Sequence, residues 1–518
     1  MQEIKEDKIS EHWVSVLVKE ILSSTKPPFV VASGITTSGP THIGTASEFI
    51  YPNAIVTYFK NNGYDVQFIF IGDIMDAFDS IPKPLEKFKD VLEPHLGKPL
   101  VHVPDPFGCH ASYGDHFLSE AADLMKRFKV NPEIVRNSDL YAKGLYDKYA
   151  IKYLNEREKV RDVVFESSLR KKEGKEWENW SPIAPICEKC GKISTCTVTG
   201  FDGEYYYYKC NKDVEYTKGC GHEGKARISD HRYKLVWRVE WPSRQDFLNV
   251  TIEGFGKDHA TRGGSADTAR EMHEKILGRK PPFFYRFGFF LLGGKKYSKS
   301  KGIGLDVNTV LKLMPPEVIK YFIYRSDSQE DKNFDPTGQN MLLIFEDYEY
   351  ASTLSQPKET LTRADRKKRI AYEISGERKW KAKFLDILLY YQIYRDWEKV
   401  KSLFNDPEGV EYIKPYIVYW IENGYVPEDY SFSINPKKPS DIRGIKEFAE
   451  RLDDKMDQLA IHNLVFDTAK SLDIEPKEFF KTLYTALIGK DRGPKLGKLI
   501  HAIGPSKVKK VLMELVGQ

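Results

Sequence analysis

Residues 28–35, PFVVASGI, make an almost continuous apolar run of strand length. Residues 42–60 repeat apolar positions at helical spacing, with Pro52 as the point where a kink is expected, and DVQFIFIGD at 65–73 reads as a second buried strand. Strand, helix and strand in that order predict a parallel crossover, the unit of a doubly wound sheet whose ligands gather beyond the carboxyl ends of its strands. Two later runs, KLVWRVEW at 234–241 and FLNVTIEGFGKDH at 247–259, are the next strand candidates, so the sheet is expected to resume after a long insertion. From about residue 310 the period becomes that of helices. Ile445, Phe448, Leu452, Met456 and Leu459 fall three or four apart, Phe480, Leu483 and Leu487 repeat the spacing, and no comparable strand signal remains there. The expected class is α/β with a doubly wound parallel sheet, followed by an all-α C-terminal region.

Composition narrows the function classes. The 518 residues are 41% hydrophobic and 30% charged, ample for several cores. No apolar run approaches the roughly 20 residues that cross a bilayer. The opening MQEIKEDKISEHW is too acidic and polar for a signal or transit peptide, so a cytoplasmic protein with no membrane partner is expected. A net charge of +4 is too small for a protein that coats nucleic acid. Local basic clusters, RADRKKR at 363–369 and the run KDRGPKLGKLIHAIGPSKVKK near the C-terminus, suit either phosphate binding or solvated helix faces.

The chemistry begins at GPTHIGTA, residues 39–46, between the first strand and its helix. A helix starting near His42 aims free backbone N–H groups and its positive dipole end at an anion. His42 is placed to donate to a phosphate oxygen, and Gly44 to leave the backbone open to a flat base. A capping or packed histidine is the plain alternative. Far along the chain, GGKKYSKSKGIG at 293–304 sets lysines in a glycine-bracketed loop suited to following a departing pyrophosphate. Five of the six cysteines lie between 187 and 220, and Cys187, Cys190, Cys210 and Cys220 have the spacing C-x2-C-x19-C-x9-C of a closed zinc site. Cys196 and His222 are candidate substitutes within that set. Asp105, Cys109, His110 and His116, with His95 and His102 nearby, offer a second metal site or a polar turn lining a cleft.

HIGT at 42–45 and KYSKS at 296–300 resemble the two signature motifs of class I aminoacyl-tRNA synthetases. ASGITTSGPTHIG, DPFGCH, GKDHATRGGS and the helical C-terminal half are most similar to the class I lysyl-tRNA synthetase family. Thr45 stands where the second motif histidine usually lies, and Tyr297 where a methionine is usual. The resemblance implies a split Rossmann-type catalytic domain with a zinc-binding insertion. It implies ATP-dependent, AMP-forming ligation of L-lysine to tRNA(Lys), with structural Zn²⁺ and with Mg²⁺ carried by ATP. The implied catalytic residues are His42, Lys296 and Lys299. Pro40, Gly44, Thr45, Gly256, Asp258 and His259 join His42 and Lys299 around ATP, while Gly34, Thr36, Asp73, Trp237 and Glu240 surround the amino acid. Glutamate enzymes of related fold carry an arginine about ten residues before the motif histidine; here that region reads Val31-Ala32-Ser33. A lysine substrate instead asks for carboxylates and aromatic walls, which Asp73, Glu240, Trp237 and Trp241 can supply, although ordinary core packing would use both tryptophans equally.

The expected domains are 1–165 (N-terminal helix and first catalytic half, with an insertion at 95–120), 166–228 (zinc insertion), 229–310 (second catalytic half with the lysine loop), 311–350 (connecting helices) and 351–518 (anticodon-binding helices, with a plain scaffold or dimerisation domain as the alternative). A monomer is expected. The rival readings are another class I specificity, a nucleotidyltransferase using the same histidine helix, and a zinc-stabilised RNA-binding protein without catalysis.

Overall fold

Helix α1 (Trp13–Ser24) leads into β1 (Phe29–Thr36), and α2 (Ile43–Asn61) carries the chain from β1 to β2 (Val66–Asp73). This computed structural model describes residues 11–292, 295–296, 307–336, 339–357 and 360–517, with 292, 295 and 296 described for the backbone alone. Both strands are buried over most of their length, as expected of central parallel strands covered on two faces. α2 is buried nearly all round and continues through Pro52 to Asn61.

After α3 (Tyr113–Arg127) and β3 (Glu133–Arg136), helices α4 (Asn137–Ala142), α5 (Asp147–Asn155) and α6 (Arg157–Ser167) lead into the insertion. There β4 (Ile183–Pro185) pairs antiparallel with β8 (Tyr233–Leu235), and β5 (Cys196–Phe201), β6 (Tyr205–Cys210) and β7 (Glu223–Arg227) form a small antiparallel sheet. Its core is rich in tyrosine, with Tyr141, Tyr146, Tyr153, Tyr206 and Tyr233 all fully buried. The main sheet resumes with α7 (Trp237–Phe247), β9 (Ile252–Gly256) and β10 (Phe283–Phe287).

The spatial order is β10-β9-β1-β2-β3, all parallel. The direction of winding therefore reverses between β1 and β9. β1 pairs with β2 along all eight residues, from Phe29 opposite Val66 to Thr36 opposite Asp73, but with β9 only at Val31–Ile252 and Ala32–Glu253. Beyond Ala32 and Glu253 the two strands separate, and a crevice opens at the carboxyl ends, where doubly wound sheets bind ligands.

Three expectations need correction. Residues 234–241 are strand only to Leu235; from Trp237 the chain is helical, because the Trp237 and Trp241 rings, four apart, stack face to face at 5.4 Å. Strand signal does persist past 310: β13 (Lys332–Phe334) pairs in parallel with β11 (Phe290–Leu292), a three-residue strand too short to leave a period. The apolar stripe from Ile445 to Leu459 spans two helices. The first ends at Arg451, Asp457 caps the second by accepting from the Ala460 N–H, and Leu459 is 65% exposed.

The chain divides into two compact units. The first comprises residues 1–311, 319–334 and 356–376; the second comprises 312–318, 335–355 and 377–518. The second is helical, with one core cluster around Ile445, Phe448, Leu483, Leu499 and Val508. Its helix Asn340–Ala351 is tied to residues past 376 by Glu349, which accepts from the Trp380 indole and the Phe384 amide, both at 2.8 Å. None of the described helices is long and apolar enough to cross a membrane.

Candidate active site and metal clusters

Two adjoining cavities occupy the crevice, and both are bounded by Gly34, Ile35, Thr36 and Glu48. The larger, about 420 Å³, lies at the amino end of α2 and is lined by His42, Gly44, Thr45, Gly256 and Asp258. His42 is the N-cap of α2, and its Nδ1 accepts from the Thr45 N–H at 3.1 Å. The Thr45 hydroxyl lies 3.1 Å from Nε2. A Cβ at Gly44 would stand 3.1 Å from the imidazole, so glycine is what lets the ring fold back over the helix end. A Cβ at Gly256 would likewise come within 2.7 Å of the Asp258 carboxylate. Pro40 stays in the turn before the helix and lines neither cavity. The side chain of Lys296, whose backbone lies in the two-residue strand β12 (Lys295–Lys296), and Lys299 with Tyr297 and the rest of 297–306 lie outside the described residues.

The smaller cavity, about 320 Å³, is walled by the stacked Trp237–Trp241 pair and by His259, whose ring centroid is 6.4 Å from each indole. His259, expected beside ATP, is thus on the tryptophan side. Gly34 is required here, since a Cβ would meet the Ile71 carbonyl at 2.7 Å. The Thr36 hydroxyl donates to Asp76 at 2.5 Å.

Asp73 lines this cavity, but Glu240 does not. Glu240 is fully buried, accepting from Tyr141 at 2.6 Å and Asn137 at 2.9 Å and pairing closely with Lys234. The Lys234 ammonium also meets Asp76 at 3.0 Å and Asp73 at 3.4 Å. Burial alone would push this ammonium down, but the three carboxylates hold it well above its ordinary value. The expectation that Glu240 would meet a substrate ammonium therefore needs correction, because an internal lysine already occupies that carboxylate.

Four charged lining residues are absent from the expected site: Glu48, Asp76, Arg244 and Glu253. The signal for Glu48 was present, a single acid among the apolar residues of α2 six positions after His42. Asp76 repeats an acid three residues after Asp73. Arg244 and Glu253 left no signal, since only the α7–β9 packing brings them to the crevice.

The cysteines converge as their spacing predicted. The Sγ atoms of Cys187, Cys190, Cys210 and Cys220 all lie within 4.8 Å of one another, with Cys187–Cys220 and Cys190–Cys210 both at 3.7 Å. Four thiolates at ~2.3 Å around a tetrahedral zinc would be about 3.8 Å apart, so the set fits such an ion. Burial pushes the Cys210 thiol up, but the Thr195 hydroxyl at 3.2 Å and the Cys220 N–H at 3.4 Å outweigh it and bring Cys210 to about 7. Cys196 and His222 fall outside the four; His222 is held by Glu188 at 2.6 Å. Asp105, Cys109, His110 and His116 also gather within 4.8 Å, whereas His95 and His102 do not join them. Burial raises Asp105, but N–H groups of Phe107, His110 and Cys109 bring it down to about 2, leaving an ionised oxygen ligand among nitrogen and sulfur donors.

Comparison with known proteins adds sequence evidence to this geometry. Residues 11–378 match the family described as tRNA synthetases class I (K), and residues 414–514 match an anticodon binding domain. The chain is 31% identical to lysine–tRNA ligase 1 of Methanosarcina acetivorans, the alignment covering 94% of this chain and 95% of the relative. It is 30% identical to the lysine–tRNA ligase of Archaeoglobus fulgidus, covering 95% and 97%. The enzyme of the same name from Thermoplasma acidophilum is 29% identical over 98% and 99%.

Proposed function

This chain belongs to the class I (K) family of tRNA synthetases, and from that premise we propose that it activates L-lysine with ATP and transfers the lysyl group to the 3′ end of tRNA(Lys). The observation that carries this reading is the pair of cavities sharing Gly34–Thr36 and Glu48: one at a helix N-terminus behind His42, the other acid-lined and walled by tryptophan. They hold two substrates with reacting ends together, which removes much of the entropic cost of the encounter.

A lysine carboxylate oxygen attacks the α-phosphorus of ATP. The bond from that phosphorus to the β-bridging oxygen breaks, pyrophosphate leaves with the electron pair, and lysyl-adenylate remains. Because Nδ1 of His42 accepts from the Thr45 amide, the proton of the neutral ring sits on Nε2, where a phosphate oxygen competes with the Thr45 hydroxyl at 3.1 Å to accept it. The free amides of the α2 terminus add to that field. Asp258, beside Gly256, is the acceptor for the ATP ribose, and Lys296 and Lys299 follow the departing pyrophosphate. Mg²⁺ arriving with ATP neutralises phosphate charge. In the second step a terminal ribose hydroxyl of tRNA takes the lysyl group and AMP leaves.

Zn²⁺ held by Cys187, Cys190, Cys210 and Cys220 ties the insertion together, and Asp105, Cys109, His110 and His116 form the second candidate site for such an ion. Residues 414–514 supply the anticodon contact, in keeping with the domain they match.

ATP–pyrophosphate exchange with each of the twenty amino acids tests the assignment. Exchange should depend on lysine, and charging should depend on tRNA(Lys) besides. Preferential exchange with any other amino acid refutes the lysine specificity, and no exchange with any of them favours a non-catalytic RNA-binding protein.

A further inference from the structure

One wall of the cavity behind His42 is the turn Phe287–Phe290, which joins β10 to β11 and lines the space together with Gly256 and Asp258. Backbone groups beyond the carboxyl end of a parallel strand have no ladder partners and must find others. Here they are taken up from two sides. From the end of β9, the Lys257 N–H donates to the Phe287 carbonyl at 3.0 Å. From the segment that runs into β13, the Ser328 carbonyl accepts from the Gly288 N–H at 2.9 Å, and the Lys332 N–H donates to the Phe289 carbonyl at 2.8 Å. A Cβ at Gly288 would come within 2.4 Å of the Glu330 carbonyl, so the two backbones touch directly and neither shifts alone.

Asp331 closes this assembly. Its Oδ1 accepts from the Phe289 N–H at 2.7 Å and from the Lys257 ammonium at 2.5 Å. The same ammonium lies 4.5 Å from the centre of the Phe289 ring. One carboxylate thus joins the loop that carries Asp258, the turn 287–290 and the segment 328–332. Burial raises Asp331, but the Lys257 ammonium and the Phe289 N–H outweigh it and hold the carboxyl below its ordinary range, so it stays ionised at neutral pH. The Lys257 and Asp331 side chains are 37% and 33% exposed, and an ion pair so open to water adds little to global stability. What it fixes is local: the position of Phe289 and Phe290 relative to Asp258. Residues 319–334 belong to the first unit although the chain on either side, 312–318 and 335–355, belongs to the second. Asp331 therefore reaches this wall from a segment that only the fold brings to it.

We propose that Asp331 is a positioning residue for ATP: through Lys257 and the Phe289 amide it sets the width of the cavity between Asp258 and the turn 287–290. This rests on the reading above that ATP occupies that cavity. Neither Asp331 nor Lys257 lines the cavity, so both act through its wall. A reacting group misplaced by about 1 Å, even from a distant change, costs on the order of 100-fold in rate, and a wall held by one carboxylate is open to such a shift.

The test uses the full chain, with equilibrium binding of Mg²⁺–ATP and lysine-dependent ATP–pyrophosphate exchange. Asp331→Ala should raise the Kd and the KM for ATP about tenfold or more, while the KM for lysine moves less than about threefold. Lys257→Met keeps the apolar stem against the Phe289 ring and should raise the ATP constants in the same direction. The double variant should be no worse than about twice the stronger single one, because the two side chains act as one pair. Unchanged ATP constants in Asp331→Ala overturn the inference, and so do ATP and lysine constants that rise equally, which would mark a general loosening. An effect of Lys257→Met without one of Asp331→Ala, or fully independent effects in the double variant, would make Lys257 a direct ligand of the nucleotide and overturn it too. A wild type that binds no ATP removes the premise and the inference with it. A wild type that binds ATP but shows no lysine-dependent exchange counts against the proposed function alone, so the two failures are distinguishable.

Discussion

His42→Ala lowers the turnover of lysine-dependent ATP–pyrophosphate exchange about 100- to 1000-fold, the range found when one preorganised donor to a developing negative charge is removed. Both Michaelis constants should change only a few-fold, because the donor matters most when charge moves onto the phosphate oxygens. The same imidazole caps α2 through its bond from the Thr45 amide, and losing a cap costs ~1 kcal/mol of stability. His42→Asn separates the two roles. Asparagine is among the best N-caps, so the variant should melt near the wild-type temperature yet remain slow. Turnover within tenfold of wild type in either variant would remove His42 from the chemistry.

The second large effect concerns the four thiols. Cys210→Ser should abolish stoichiometric zinc at the Cys187 cluster and unfold the insertion, since structural zinc in small domains supplies on the order of 10–16 kcal/mol of apparent binding energy at pH 7. The Thr195 hydroxyl and the Cys220 amide already draw Cys210 toward ionisation. Cys196→Ser is the control: its sulfur is buried nearby but outside the four, and it should keep the metal. Elemental analysis after exhaustive dialysis, with far-ultraviolet circular dichroism, reads both. Because the Asp105 cluster is a second candidate, the expected change is a fall of one zinc per chain relative to wild type; an unchanged count would end the assignment.

The insertion matters to the active site through shared packing. Its buried tyrosines belong to the cluster that also holds Met75, between the cavity residues Asp73 and Asp76, and Tyr141 from that cluster donates to Glu240 behind the pocket. Loss of the metal should therefore reduce lysine activation as well as stability.

Features that act over a few residues were legible in the chain itself. The first strand, the helix after it and the second strand follow from local apolar period, and the structure bounds them within two residues of the reading. His42 at a helix start and the four cysteines are also local facts, because capping and ligand spacing are written in short segments.

What the sequence determined by itself is the parallel α/β frame, the histidine-capped helix end and the set of four cysteines. Each depends on neighbours along the chain. Only the tertiary structure decided which carboxylates are spent and which remain for a ligand. Glu240 and Glu48 look alike as acids among aromatic and apolar neighbours, yet Lys234 neutralises the first while the second, among the described residues, accepts a hydrogen bond from Ser33 and has no ion-pair partner. That difference arises where β1 and β9 diverge, a pairing between residues more than 200 apart, and the electrostatics of a buried charge are set by whatever the fold brings within a few ångströms, at any separation along the chain.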